Sequence, residues 1–201
     1  MKSLVWLRND LRMDDNPALK HACLNSDEVH CLYLYQPNQM KLHNVANCKI
    51  EFIFENLKDL ESSLSKLNIP LTVLPSRLFD DSPSDIINIV NERSINKVYW
   101  NNQFGIDEQK RDLTVKEILD KNKVAYESFD DQVVYSPGTI KTMENKPYSV
   151  FTPFKRRWVE NFNIDFLDIE FKYTPKKKSN IKSNVNNISF KKNHSVDMSI
   201  W

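Results

Sequence analysis

The chain has 201 residues, of which 40% are hydrophobic and 27% are charged, and its formal net charge is +1 at pH 7. This length allows one well-buried domain plus a tail, and the near-zero charge argues against binding of nucleic acid or membrane by the surface as a whole. The first apolar run ends after four residues at Arg8, and no stretch approaches the roughly 18 apolar residues of a membrane span. We therefore expect a cytoplasmic protein with no signal peptide and no membrane partner.

The cysteine and glycine content argues against several kinds of site. Cys23, Cys31 and Cys48 are too few and too irregularly spaced for a disulfide framework, and they suit a reducing compartment. The four histidines form no metal-ligand pattern with these cysteines, so no metal site is predicted. The two glycines, Gly105 and Gly138, are too few for a Gly-x-Gly-x-x-Gly fingerprint or a Walker phosphate loop.

Short apolar runs alternate along the chain with amphipathic helical patterns. A first strand is predicted at Leu4–Leu7, and Asn16 followed by Pro17 suits the start of a helix. The other predicted strands are Val29–Tyr35, Leu71–Leu74, Lys97–Trp100 and Val124–Phe129. The other predicted helices are Asn47–Leu67, Pro83–Arg93 and Asp107–Asp120, the last with Leu113, Val115, Ile118 and Leu119 buried.

This alternation is typical of an α/β, doubly wound, Rossmann-like fold, in which a five-stranded parallel sheet carries helices on both faces. Ligands of such sheets bind outside the carboxyl ends of the strands, where the strand order reverses. Polar segments follow three of the predicted strands: 8–10, 36–44 and 101–108. Arg8 and Asp10 either line this crevice or tie loops together, whereas Asp14, Asp15 and Asn16 are better explained as structural.

The C-terminal part of the chain has a different composition. Lysine, asparagine and serine dominate from Phe171 onward and no hydrophobic period survives. We therefore predict a folded domain over residues 1–165 and a disordered basic linker or tail over residues 166–201. Before this boundary, a helix beginning near Phe151 is expected to dock on the sheet with Lys155, Arg156 and Arg157 facing solvent.

Four segments resemble motifs of the photolyase/cryptochrome family. They are LVWLRNDLRMDDNPAL at the first strand, WNNQFGIDEQKRD at the fourth strand, FDDQVVYSPGTI after the fifth, and YSVFTPFKRRW at the predicted last helix. The four motifs occur in the family's order across residues 3–160, which makes the signal specific. The chain is therefore similar to the N-terminal α/β domain of that family.

The resemblance implies a light-harvesting role. The family's N-terminal domain carries an antenna pigment, often 5,10-methenyltetrahydrofolate, and a deazaflavin or flavin antenna stays open. A helical C-terminal domain, absent from this sequence, carries the catalytic FAD and contacts UV-damaged DNA, where blue light drives the lyase reaction that splits cyclobutane pyrimidine dimers. The chain would thus be the antenna half of a DNA photolyase, without activity of its own. The alternatives are a cryptochrome-like photosensory module, a stand-alone nucleotide- or flavin-binding module, and a remnant that binds nothing.

The residues that match the family's folate site are His43, Asp107 and Glu108. A pterin presents N–H donors along one edge, and the Glu108 carboxylate can accept two of them side by side. His43 is expected to contact the ring or the folate linker. The family has asparagine at the position of Asp107, so this chain keeps an acceptor there, loses a donor and adds a charge. Acidic residues that open a helix are also favoured by its dipole, which is the structural alternative for both.

Overall fold

The structure is a computed structural model that describes residues 1–163 and 172–187. Its centre is a five-stranded sheet of order β3-β2-β1-β4-β5, in which every neighbouring pair is parallel. The strands are β1 (Lys2–Leu7), β2 (Glu28–Tyr35), β3 (Leu71–Pro75), β4 (Lys97–Asn101) and β5 (Ala125–Phe129). The helices are α1 (Pro17–Asn25), α2 (Pro37–Leu42), α3 (Asn47–Lys66), α4 (Ser82–Arg93), α5 (Ile106–Lys121) and α6 (Phe151–Asn161). The predicted five-stranded α/β fold is confirmed.

Strand β1 is buried on both faces of the sheet. Val5 and Leu7 belong to an apolar cluster with residues of α1 and α3, whereas Leu4 and Trp6 belong to a second cluster with residues of α4 and α5. A strand covered by helices on both sides has apolar residues at successive positions, which explains the unbroken run that opens the sequence. The two clusters form the two halves of the hydrophobic core.

The strand order reverses beside β1. The chain adds β2 and β3 on one side of β1 and then places β4 and β5 on the other side. The connections that leave β1 and β4 therefore diverge and open a crevice at the carboxyl ends of the strands. This is the edge of the sheet at which the sequence predicts the ligand site.

The charged segment after β1 is mainly structural. The carboxylate of Asp10 accepts hydrogen bonds from the backbone N–H of Arg8 at 2.7 Å and from Nδ2 of Asn101 at 2.6 Å. Asn16 caps α1 by accepting a hydrogen bond from the backbone N–H of Leu19 at 3.1 Å, as predicted. These bonds hold the β1 loop, the end of β4 and the start of α1 together, so Asp10 ties loops together, as one of the two predicted alternatives has it.

Three local predictions differ from the structure. The segment after β2 contains the short helix α2 instead of a loop. Leu113 is 59% exposed rather than buried, because the neighbouring Asp112 occupies the inward face of α5 and is itself only 7% exposed. Helix α6 buries none of its residues, and its ring contacts are with the residues that flank it, for example Trp158 against Tyr135 and Phe162.

Part of the predicted linker, residues 172–187, contacts the folded domain, and Ser183 and Asn184 bind the edge strand β3. Oγ of Ser183 accepts a hydrogen bond from the backbone N–H of Leu71 at 3.0 Å. The amide of Asn184 accepts from the N–H of Val73 at 2.7 Å and donates to its carbonyl at 3.0 Å. An edge strand presents unpaired backbone groups, and these side chains satisfy them. The predicted boundary at residue 165 and the rest of the predicted linker, 166–171 and 188–201, lie outside the described residues.

The helices can also be compared with the membrane prediction. Among the described residues, no helix combines the length and the apolar character that crossing a bilayer requires.

Candidate ligand-binding site

A cavity of about 150 Å³ lies at the carboxyl ends of β1, β2 and β4, where the strand order reverses. Its walls come from five places in the chain: the exit of β1, the exit of β2 with α2, the start of α3, the segment before α4, and the exit of β4 with α5. The polar and aromatic side chains that line it include Trp6, Arg8, Gln36, Gln39, His43, Lys49, Phe79, Gln103, Glu108 and Arg111. The cavity therefore occupies the predicted crevice.

A buried cluster of charges forms one side of the cavity. Arg8 and Arg111 are 7% and 5% exposed, and both donate to the carboxylate of Asp112. The distances to Oδ1 of Asp112 are 3.2 Å from Nη1 of Arg8 and 2.7 Å from Nη2 of Arg111. Two guanidinium groups thus share one carboxylate, which leaves the cluster with a net positive charge.

Some N–H donors of the Arg8 guanidinium make no hydrogen bond to the described residues. Its Nε and Nη2 atoms are buried and have no hydrogen-bond partner among the described residues. Burial lowers the pKa of Arg8 to about 10, against the opposing effect of Asp112, so the group stays protonated at neutral pH. The cavity wall therefore contains a buried cation with unused donors.

Aromatic rings support both guanidinium groups. Cζ of Arg8 lies 4.5 Å from the centroid of the Trp6 ring, and Cζ of Arg111 lies 4.7 Å from the same ring. Arg111 is also 4.6 Å from the centroid of the Phe79 ring. These cation–π contacts offset part of the desolvation of the two cations and fix the planes of the rings that line the cavity.

His43 caps the C-terminus of α2 at the rim of the cavity and is held on three sides. Its Nε2 lies 2.9 Å from Nε2 of Gln39 and 3.6 Å from Oδ2 of Asp107, and its ring meets Phe79 edge-on at 5.7 Å. Asp107 does not line the cavity that contains His43 and Glu108. It lines an adjacent chamber of about 420 Å³ that shares Gln39, Phe79 and Arg111 with the first.

Glu108 lines the same cavity as His43, from the opposite element, α5. Its side chain is half-buried, and it makes no hydrogen bond or ion pair with any described residue. A carboxylate in this setting keeps its acceptor positions for a ligand. The structure thus brings all three predicted residues together: His43 and Glu108 on one cavity, and Asp107 against His43.

Several lining residues were missed by the sequence analysis. Arg111 follows Glu108 by three residues, so the two lie on the same face of α5, and this spacing could have identified it. Gln39 lies in α2, which was predicted as a loop. Gln103 lies in the polar segment 101–108 that was predicted to follow the fourth strand, whereas Phe79 carries no local signal, because only the tertiary fold brings it to the cavity.

The donor set has no character of a metal centre in the part of the chain that the structure describes. Across residues 1–163 and 172–187, no group of three or more His, Cys, Asp and Glu side chains is placed to hold a metal ion. The chemistry available at the cavity is hydrogen bonding by carboxylate, imidazole and guanidinium groups beside aromatic walls.

Sequence comparison finds a family model and curated proteins that are similar to this chain. A family model described as DNA photolyase matches residues 3–177. The deoxyribodipyrimidine photo-lyase of Escherichia coli is 37% identical over 158 residues, which cover 78% of this chain and 33% of that protein. The chain therefore spans about a third of the length of this curated relative.

Solved structures agree with the fold. A bacterial class III photolyase from Agrobacterium tumefaciens superimposes with a TM-score of 0.75 at 25% identity, covering 92% of this chain and 37% of that chain. An archaeal photolyase from Sulfolobus tokodaii, whose structure contains two FAD molecules, superimposes with a TM-score of 0.64 at 18% identity, covering 87% of this chain and 37% of that chain. The second likeness supports the fold alone.

Proposed function

The chain belongs to the DNA photolyase family and corresponds to the N-terminal third of its full-length members, and from this we propose that it seats a folate antenna pigment in the cavity between His43 and Glu108. One observation carries the proposal. Glu108 is a half-buried carboxylate without a partner among the described residues, and it lines the same cavity as His43. An unpaired acceptor beside aromatic walls suits a flat ring with N–H donors along one edge.

The residues present fit the pterin ring of 5,10-methenyltetrahydrofolate. Glu108 supplies the acceptor for the amine-bearing edge, and Trp6 and Phe79 supply flat apolar surface. The cavity of about 150 Å³ is smaller than the ~300–1,000 Å³ of pockets that enclose a whole drug-sized ligand. It therefore holds the ring system, and the remainder of the folate has to lie outside it.

Asp107 acts through His43 in this proposal. Its carboxylate is 3.6 Å from Nε2 of His43, and both side chains are exposed at the rim. Because Nε2 of His43 accepts a hydrogen bond from the amide Nε2 of Gln39 at 2.9 Å, Asp107 acts on the imidazole through its charge and not through a hydrogen bond. Asp107 then orients the imidazole at the entrance, while Glu108 binds the ring.

The role of the pigment follows from family membership. When bound, such an antenna absorbs near-ultraviolet to blue light and passes the excitation to a flavin. We propose that the flavin is an FAD in a helical C-terminal domain, and that the full-length protein repairs UV-damaged DNA in the cytoplasm. The residues of this chain bind and orient the pigment, and none of them is proposed to be catalytic, so we expect the chain alone to be inactive in repair.

A binding experiment tests the proposal. Purified chain is incubated with 5,10-methenyltetrahydrofolate, freed of unbound pigment and examined for a near-ultraviolet absorption band. Glu108→Ala should weaken binding about 10- to 100-fold, because a hydrogen bond to a charged group contributes about 1.5–3 kcal/mol. Glu117→Ala changes an exposed glutamate on the same helix and serves as the matched control. Absence of the band in the wild type, or equal binding by Glu108→Ala, would contradict the proposal.

A nucleotide- or flavin-binding module is the second candidate. Arg8, Lys49 and Arg111 all line the cavity, and cationic donors suit a phosphate or an oxo group. On this alternative, which includes a cryptochrome-like photosensory role, FMN or FAD should raise the unfolding temperature while the folate gives no band. The two titrations, run side by side, distinguish the candidates.

A further inference from the structure

Gly105 lies against the carboxylate of Glu108. Gly105 is the N-cap of α5, and Glu108 is the third residue of that helix. A Cβ atom added to Gly105 would stand 2.0 Å from Oε2 and 2.8 Å from Cδ of Glu108. Carbon and oxygen atoms that are not bonded do not approach this closely, so the observed place of the carboxylate requires a residue without a side chain at position 105.

Backbone conformation does not explain the glycine. Gly105 has φ −65° and ψ 149°, an extended conformation that every residue type adopts. Gly138, the other glycine of the chain, differs in this respect, because its φ of +80° favours glycine and nothing lies within 4 Å of its added Cβ. Space for the Glu108 side chain is the physical reason for glycine at position 105.

Helix capping explains the glycine only in part. Glycine is an acceptable N-cap residue, but Gly105 makes no side-chain cap, and serine, asparagine or aspartate would satisfy the free N–H groups of the first turn better. A glutamate at the third helical position commonly accepts a hydrogen bond from the N-cap backbone N–H. Glu108 makes no such bond, so its carboxylate lies back over the N-cap with its acceptor positions unused.

We propose that Gly105 is a positioning residue for Glu108. The missing side chain lets the carboxylate fold back over the positive end of α5, where it lines the cavity. Any side chain at position 105 displaces the carboxylate from this place. The inference rests on the proposed function, because it assigns Gly105 a role in pigment binding through Glu108.

The displacement should leave the fold intact. The atoms that a new Cβ would meet are the far end of a flexible side chain, which can rotate away without moving the backbone. Alanine is a poorer N-cap than glycine, but it also restricts the unfolded chain, and these two effects on stability oppose each other. Gly105→Ala is therefore a variant in which binding changes and folding does not.

A four-protein cycle tests the inference with 5,10-methenyltetrahydrofolate as the ligand. It compares wild type, Gly105→Ala, Glu108→Ala and the double variant, by titration and by the wavelength of the bound pigment's absorption maximum. We expect Gly105→Ala to weaken binding at least about fivefold and to shift the maximum, and to change affinity less than about twofold when Glu108 is already alanine. Ile106→Ala, at the exposed next residue, is the matched control and should behave as wild type.

The outcomes separate this inference from the proposed function. Wild-type binding that Gly105→Ala leaves unchanged in strength and wavelength overturns the inference and leaves the proposed function standing. An equal loss in both backgrounds also overturns it, because Gly105 would then act independently of Glu108. If the wild type binds no folate, the proposed function fails first. Crystal structures of wild type and Gly105→Ala then decide, since an unmoved Glu108 carboxylate overturns the inference without any ligand.

Discussion

Asn184 takes the place of a neighbouring strand at the free edge of β3, and its substitution by alanine tests whether the tail stabilises the domain. Its side-chain amide makes two hydrogen bonds to one residue, accepting from the N–H of Val73 at 2.7 Å and donating to its carbonyl at 3.0 Å. Asn184→Ala removes both bonds without adding bulk. The adjacent Val185, which is 1% exposed in the core, would also lose its anchor.

The magnitude follows from the two bonds. A typical intramolecular hydrogen bond contributes about 0.5–1.5 kcal/mol net, so we expect the free energy of unfolding to fall by about 1–3 kcal/mol. For a domain of this size that corresponds to a Tm lower by roughly 2–12 °C. The upper end applies if Val73, which is fully buried, keeps its position with its backbone groups unpaired, and the lower end applies if water replaces the amide.

Urea unfolding of wild type and variant measures the difference directly. Asn186→Ala is the matched control: its amide donates to Glu61 at 3.2 Å in an exposed position, and we expect a loss below about 0.5 kcal/mol. A free energy of unfolding for Asn184→Ala within about 0.5 kcal/mol of wild type would refute the reasoning, and the tail would then be a passive cover of the edge.

Two further predictions concern buried charges. Burial lowers the pKa of His30 against the opposing effect of Glu28. The unfolded chain therefore binds a proton at a higher pH than the folded chain. The stability that the neutral His30 contributes is complete above about pH 6.5 and is lost as the pH falls below it. Thermal unfolding between about pH 8 and pH 5 should show the decline, and His30→Gln should flatten it. Asp112→Ala leaves Arg8 and Arg111 buried without their shared carboxylate; we expect a loss of about 3–5 kcal/mol in urea unfolding, and a loss below 1 kcal/mol would contradict the assignment.

The strands and their parallel arrangement were accessible from the sequence, whereas the strand order comes from the structure. The runs that include Leu4 and Val29 are apolar at successive positions, as strands covered on both faces must be, and the helices between them fix a parallel sheet. The inward face of α5 was not accessible in the same way. Its hydrophobic pattern pointed to Leu113, but Asp112 turns inward because two guanidinium groups neutralise its charge.

The tail and half of the site depend on tertiary contacts. Ser183 and Asn184 bind backbone groups of β3 through their side chains, which requires no hydrophobic period and leaves none in the sequence. His43 and Glu108 were identified through the resemblance to the photolyase family, and they line one cavity. Phe79 joins them from a segment between β3 and α4 that carries no motif, so only the folded chain reveals it.

The indole of Trp6 forms part of the cavity wall, and the guanidinium groups of Arg8 and Arg111 both contact its ring. An aromatic guest that enters the cavity comes within direct contact of this fluorophore. When Trp6 is excited, energy should be transferred to a bound ligand that absorbs in the near ultraviolet. The tryptophan fluorescence should then decrease as the fraction of protein with a bound ligand increases. The protein thus carries an intrinsic, label-free reporter of what it holds.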